Sequence, residues 1–213
     1  EDDPDYNDPS KPVGPFYSKE EAEGLKKTKP DWIMKEVKPG VPKSWRRVVA
    51  SPDPIRNMEY IAVRKMIGAG IIVVASGGGG IPVVYDKDGN LKGTAAVIDK
   101  DLAGERLAEV IGADIFMVLT DVECAKINFG KDNEQNVGKI KESQMEDLAK
   151  EGHFLAGSMG PKVKAALRFV KYGGERSVIT SLDKAFEVVS KGTVGTQIYS
   201  DSDSILDCFV AKK

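Results

Sequence analysis

Ile71-Ile72-Val73-Val74-Ala75-Ser76-Gly77-Gly78-Gly79-Gly80-Ile81-Pro82-Val83-Val84 is the stretch on which the reading of the fold turns. Its opening five residues are mostly β-branched and read as a buried strand. The strand breaks at Ser76 into four consecutive glycines, which open φ > 0 to the backbone and let its N–H groups approach a ligand. Beyond them, Asp86-Lys87-Asp88-Gly89-Asn90 has the composition of a hairpin turn. A further strand is expected over Ala95–Asp101, running directly into a helix. Ala103, Leu107, Val110 and Ile111 fall at i, i+4, i+7 and i+8 and predict that helix's apolar stripe. Asp99-Lys100-Asp101 therefore sits at a strand-to-helix junction, where α/β sheets place their chemistry.

Working outward, the segment 1–50 is punctuated by seven prolines and reads as an irregular lid with one short helix, Ser18–Lys27. Ser18 and Glu21 form a capping-box signature at its start. A helix is expected over about 56–67, ended by Gly68 and Gly70. Ile115-Phe116-Met117-Val118-Leu119 reads as a buried parallel strand. Residues 123–141 read as loop, and Ser143–Lys150 as a helix ended by Gly152. A second glycine-rich loop, Gly157-Ser158-Met159-Gly160-Pro161-Lys162, opens a helix whose stripe is Val163, Ala166, Leu167 and Val170, with Pro161 expected at its first position. Ser177–Thr180 is a strand, Leu182–Ser190 a helix with stripe Leu182, Ala185, Phe186 and Val189, and Gly195–Tyr199 a last strand. Strands alternating with helices predict an α/β fold with a mostly parallel sheet. The division expected is a lid over 1–50 and an α/β part over 51–213.

Composition narrows the function. The chain has 213 residues, 41% hydrophobic and 30% charged, with a formal net charge of −2. That balance is ordinary for a globular protein and gives no electrostatic case for nucleic acid or membrane surfaces. Cys124 and Cys208 have no metal-ligand spacing and suit a reducing compartment. The acidic opening Glu1-Asp2-Asp3-Pro4-Asp5 carries no initiator Met, and an N-terminal portion is expected to precede it.

Each candidate group has two readings. The glycine loops at 77–80 and 157–162 are anion cradles at helix starts or simply tight turns; neither matches a Walker A loop or a dinucleotide fingerprint. Asp99-Lys100-Asp101 is a solvated helix cap, or a lysine meeting a transferring phosphoryl group and steadied by a carboxylate. An aspartate can also hold two lysines in place without touching substrate. Asp121 marks a nucleotide's edge or caps a turn. His153, the only histidine, is a general base or, more commonly for such a loop position, structural. Trp45-Arg46-Arg47 is a single basic aromatic patch, weak ground for nucleic acid.

A resemblance decides between these readings. Ser10-Lys11-Pro12-Val13-Gly14-Pro15-Phe16, Trp45-Arg46-Arg47-Val48-Val49-Ala50-Ser51-Pro52, Ala75-Ser76-Gly77-Gly78-Gly79-Gly80-Ile81-Pro82-Val83, Ala96-Val97-Ile98-Asp99-Lys100-Asp101-Leu102-Ala103, Leu119-Thr120-Asp121-Val122 and Gly152-His153-Phe154 through Gly157-Ser158-Met159-Gly160-Pro161-Lys162-Val163 occur in this order. Together they resemble the carbamate kinases of the amino-acid kinase superfamily, from about Asp8 to Tyr199. The resemblance implies an open three-layer α/β sandwich with a protruding lid. It implies reversible phosphoryl transfer between ATP and carbamate, with Mg²⁺ bridging the nucleotide phosphates, in a cytoplasmic homodimer with no nucleic-acid or membrane partner. It places Lys100, Lys162 and Lys11 at the transferring group and Asp101 as their orienter. Gly77, Gly78, Gly79 and Gly80 would face the acceptor; Thr120, Asp121, Val122, Phe129, Met159 and Gly160 would frame the nucleotide. Val41-Pro42-Lys43-Ser44 departs from the family's usual Gly-Arg-Gly, and Phe129 stands where a tyrosine is common. A kinase of the same superfamily acting on an amino acid or a nucleoside monophosphate, and a non-catalytic nucleotide-binding fragment, stay open as alternatives.

Overall fold

The computed structural model describes residues 3–155, 158–192 and 194–202. The chain divides into two compact units, Glu1–Pro54 with Gly78–Asp99, and Ile55–Gly77 with Lys100–Lys213.

The first unit is more regular than its prolines suggest. β1 (Lys11–Tyr17), α1 (Lys19–Thr28), β2 (Ile33–Glu36) and β3 (Trp45–Val49) build a three-stranded antiparallel sheet in the order β1-β3-β2. The irregular excursion expected over 1–50 is thus corrected. Pro12 and Pro15 lie in β1, an edge strand, where a missing N–H costs no ladder bond on the open side. Gly14 at φ 70° sits where the β1–β3 register slips between Val13 and Tyr17. The capping box holds: the Glu21 N–H donates to Ser18 Oγ at 3.2 Å, and the Ser18 N–H donates to Glu21 Oε2 at 2.7 Å. Ala22, Met34, Val48, Val49 and Ala50 form this unit's buried apolar set. β4 (Val83–Tyr85) and β5 (Leu91–Gly93) make the expected hairpin. Asp86 Oδ1 accepts from the Asp88 and Asn90 N–H groups at 2.9 and 2.8 Å, closing the turn. Of the strand expected over 95–101, one parallel bridge survives, Ala50 to Ala96.

In the second unit, α2 (Tyr60–Gly68) precedes the run Ile71–Ala75. That run is not the predicted buried strand: Ile72 and Val74 are each 95% exposed. A strand is stable only when a neighbour takes its N–H and C=O groups, and among the described residues none pairs with it. α3 (Lys100–Ile111) follows, then β6 (Ile115–Thr120), β7 (Lys126–Ile127), β8 (Gln135–Asn136), β9 (Lys139–Lys141), α4 (Glu142–Lys150), α5 (Met159–Lys171), β10 (Arg176–Ser181), α6 (Ala185–Lys191) and β11 (Thr196–Tyr199). The sheet runs β6-β10-β11-β9, with β6/β10 and β11/β9 parallel and β10/β11 antiparallel. It is a mixed α/β sheet in which parallel pairings predominate.

β10 is central, and Ser177 through Ser181 are all buried. α5 packs on it through Val163, Ala166, Leu167, Phe169 and Val170, so the predicted stripe holds. Pro161 is the third residue of α5, not the first, because Met159 opens the helix. The 123–141 segment is not all loop: β9 adds a short edge strand carrying a single buried residue, Ile140, too little pattern to announce itself. Two stripes are displaced. α3 buries Asp101, Leu102, Ala103, Glu105 and Ala108, while Leu107, Val110 and Ile111 are only half-buried. α6 buries Val188 and leaves Phe186 and Val189 exposed, and Leu182, also exposed, lies in a short 3-10 turn before it.

Candidate functional site

Two helices of the second unit carry a lysine in or just after their first turn. Lys100 is the first residue of α3, and Lys162 lies in the first turns of α5. A helix N-terminus already carries partial positive charge, so an ammonium there is disfavoured by about 0.3–1 kcal/mol. Lysine at both starts is therefore not explained by helix stability. It makes sense where an anion is to be met.

Asp101 joins the two. Its Oδ2 accepts from Lys162 Nζ at 2.8 Å and lies 3.3 Å from Lys100 Nζ. The Asp101 side chain is 9% exposed and that of Lys162 12%, whereas Lys100 is 58% exposed. One carboxylate oxygen thus holds a sheltered ammonium and an open one, leaving the trio net positive. Such a cluster can stabilise charge spread over phosphoryl oxygens, which is most of what phosphoryl transfer asks of a protein.

The same helices carry a second buried charge pair that sequence reading missed. Glu105 is fully buried in α3, and Arg168 of α5 donates to its Oε2. Burial pushes the Glu105 carboxyl up to about 7; the neighbouring Glu109 adds to the push and Arg168 opposes it. The available signal was its spacing: Glu105 lies four residues after Asp101, on the same helix face.

In the first unit, Lys11 Nζ lies 3.8 Å from Asp99 Oδ2. Lys11 lies in strand β1, so its backbone is held by β3 and not loose in a lid. The glycine loop is also more determined than its composition implies. Gly79 has φ 130°, and a Cβ there would lie 2.3 Å from the Ile98 carbonyl oxygen. One of the four glycines is thus required by close packing against Ile98. Gly77 and Gly80 have φ 47° and 86° with open space around them, and Gly78 is also unobstructed.

Thr120 closes β6, and its Oγ1 donates to Asp121 Oδ1 at 3.0 Å; Val122 follows, half-buried. Phe129 is 61% exposed, beyond β7. Met159 and Gly160 open α5, and the Gly160 N–H donates to the Leu155 carbonyl at 2.9 Å. A Cβ on Gly160 would meet that carbonyl oxygen at 3.0 Å, a tight contact. Gly157 and Cys208 lie outside the described residues. The structure therefore brings Lys100, Asp101 and Lys162 together, and separately Lys11 with Asp99.

The remaining candidates resolve to structure. The Asn128 N–H donates to His153 Nδ1 at 3.4 Å, and Glu151 sits 3.2 Å from Nε2, tying His153 into its loop. Arg47 stacks on Trp32 at 4.6 Å and Arg46 on Phe16 at 4.9 Å, so those guanidinium groups serve the first unit's own packing. Burial pushes the Cys124 thiol up, away from nucleophilic use. No helix among the described residues is long and apolar enough to cross a membrane.

Comparison with known proteins bears on the chain as a whole. The carbamate kinase of Pyrococcus furiosus is 51% identical over 196 residues, and that of Thermococcus kodakarensis 53%. Each alignment covers 92% of this chain and 60% of the relative. The solved structure of carbamate kinase from Giardia lamblia bound to AMP-PNP superposes with a TM-score of 0.86 at 42% identity, covering 94% of this chain and 62% of that one. The chain thus spans about three-fifths of the length of the relatives it matches. The model of the amino acid kinase family matches residues 27–181, well over half of the sequence, and the chain belongs to that family.

Proposed function

We propose that the protein carrying this chain is a carbamate kinase, catalysing reversible phosphoryl transfer between ATP and carbamate. The observation that carries the reading is the Asp101 carboxylate shared by Lys100 and Lys162 at the starts of two helices. Its support from kinship is the high identity to carbamate kinases along nearly the whole chain.

In the direction of ATP formation, a β-phosphate oxygen of ADP attacks the phosphorus of carbamoyl phosphate. The phosphorus–oxygen bond to the carbamoyl group breaks, and carbamate leaves as an anion. Negative charge moves across the equatorial oxygens, where Lys162 and Lys100 present theirs. Asp101 keeps the two ammonium groups from separating and does not itself need to touch substrate. Lys11 reaches the acceptor or the transferred group. Gly77–Gly80 offer backbone N–H groups on the acceptor side, with Gly79 fixing the loop's shape. Thr120, Asp121, Val122, Phe129, Met159 and Gly160 frame the nucleotide. Among the described residues no group of three acidic, histidine or cysteine side chains could hold a metal ion. Mg²⁺, supplied with the nucleotide, would offset negative charge on its phosphates beside Lys100 and Lys162. On the resemblance, the enzyme is a cytoplasmic homodimer.

The test is ATP formation from ADP and carbamoyl phosphate, followed by a coupled assay, beside a screen of amino acids and nucleoside monophosphates as phosphoryl acceptors from ATP. Turnover with carbamoyl phosphate, and none with the other acceptors, is expected. Turnover on an amino acid or a nucleoside monophosphate alone would replace carbamate with that acceptor. Nucleotide binding without any turnover would reduce the protein to a binding module.

A further inference from the structure

The structure holds a second rung between the two helices that carry the lysines. Asp101 and Glu105 are one turn apart on α3, and each reaches α5: Asp101 to Lys162, Glu105 to Arg168. Arg168 also donates through Nη2 to the Leu102 carbonyl at 3.4 Å, in the turn between the two carboxylates. Its guanidinium therefore grips α3 by both side chain and backbone. The Arg168 side chain is 18% exposed and that of Glu105 is not exposed at all. Glu109, one turn further along α3, is held by Arg106 at 3.0 Å and turns a side chain only 4% exposed inward.

A buried charge pair is a poor way to gain stability, because desolvation offsets most of the attraction. Apolar residues of similar volume would join α3 to α5 at least as firmly. What a rigid guanidinium that meets both a carboxylate oxygen and a backbone carbonyl adds is register: it fixes rotation and sliding of one helix against the other, which apolar contacts leave softer. The register at stake lies one turn away, where Asp101 must meet Lys162.

We propose that Arg168, acting through Glu105 and the Leu102 carbonyl, is a positioning residue that sets the Asp101–Lys162 geometry. The inference rests on the reading of Lys162 as a phosphoryl contact. Both Arg168 bonds to Glu105 use Oε2, while Oε1 is buried without a hydrogen-bond partner. A proton on Oε1 therefore leaves the rung in place.

The experiment compares Arg168→Met, the paired apolar replacement Glu105→Leu/Arg168→Met, Lys162→Ala, and Lys162→Ala/Arg168→Met in the protein carrying this chain. The paired replacement removes both buried charges and so keeps the interface foldable where the single change might not. Val170→Ala, in the buried face of α5, serves as a control that loosens the same helix without touching the rung. Both Arg168 variants are expected to lose about tenfold or more in kcat, with KM for ADP within about threefold. Val170→Ala is expected to lower Tm and leave kcat near wild type. The double variant with Lys162→Ala should be no slower than Lys162→Ala alone, because Arg168 acts only through that lysine. Losses that multiply, or an Arg168→Met enzyme with wild-type kcat, would overturn the positioning role. A Lys162→Ala enzyme at wild-type kcat would instead sink the phosphoryl-contact reading. Independently of turnover, the ¹³C shift of reductively methylated Lys162, assigned by its loss in Lys162→Ala, should move in the Arg168 variants. No movement would refute the inference even if the protein had no kinase activity.

Discussion

Asp101→Asn removes one charge and almost no volume, and its consequences can be worked from three atoms. Lys162 Nζ at 2.8 Å and Lys100 Nζ at 3.3 Å share Oδ2, so the two ammonium groups are within about 6 Å of each other. At an effective dielectric of about 20, two like charges at that distance repel by about 3 kcal/mol. Lys100 is 58% exposed, so solvent screens much of this. Lys162, at 12% exposure, has less room to relax. The asparagine oxygen still accepts its hydrogen bond, but without charge assistance, at a cost of about 1.5–3 kcal/mol in folding stability. The catalytic loss should be larger than that bond's worth, because both lysines lose their common anchor. A fall in kcat of about 10²–10³ is expected, comparable to deleting one preorganised stabilising group. ADP affinity should change by less than about threefold, since on the proposed reading backbone N–H groups, and not this carboxylate, meet the nucleotide. Steady-state ATP formation gives kcat, and calorimetry gives the ADP dissociation constant. An Asp101→Asn enzyme within about twofold of wild-type kcat would show that the lysines need no carboxylate between them, and the orienting role would fall.

Gly79→Ala should destabilise the protein by about 1–3 kcal/mol, because φ 130° and an oxygen 2.3 Å from the new Cβ leave it no relaxed position; Gly80→Ala, with open space, should cost less, and equal shifts in Tm would refute the packing account. Lys11→Ala is expected to slow turnover of carbamoyl phosphate while leaving ADP affinity unchanged; an equal loss of ADP binding would place Lys11 on the nucleotide. Glu105 has a folded-state value of about 7 against 4.5 for the free side chain, so its contribution to stability is full below about pH 4.5 and is lost as pH rises through about 7. Urea unfolding midpoints should fall between about pH 5 and pH 8, and Glu105→Gln should flatten that fall; an unchanged slope would remove Glu105 from the titration.

Local chemistry was legible in the sequence wherever it is decided within a few residues. The Ser18–Glu21 box, the Asp86–Asn90 turn and the stripe on α5 all rest on neighbours in the chain, and all three formed as read. Strands were harder. Ile71–Ala75 has a strong strand composition, yet composition supplies no partner for its backbone groups, and pairing decides whether a strand exists. β9 shows the converse: Lys139-Ile140-Lys141 has almost no signal of its own and becomes a strand because β11 offers an edge.

The candidate site divides along the same line. Glycine loops and lysines at helix starts can be seen in one dimension. Which carboxylate serves which lysine cannot, because Asp101 and Lys162 are 61 residues apart and meet only when α3 packs beside α5. Charge at a buried helical position is the clue that such a meeting exists. An acidic residue repeated at i and i+4 along a face otherwise lined by Leu102 and Ala108 has no reason to be buried alone. Each must find a cation on the facing element, and two of the four basic residues of α5, Lys162 and Arg168, lie 6 positions apart on a helix that runs beside it. Of the two pairs, the one nearer the helix starts has a second, exposed lysine beside it, and the other keeps its carboxylate fully buried. On the proposed reading, chemistry belongs to the first and register to the second, since a reacting anion can reach the 58% exposed Lys100 and not the buried Glu105 carboxylate.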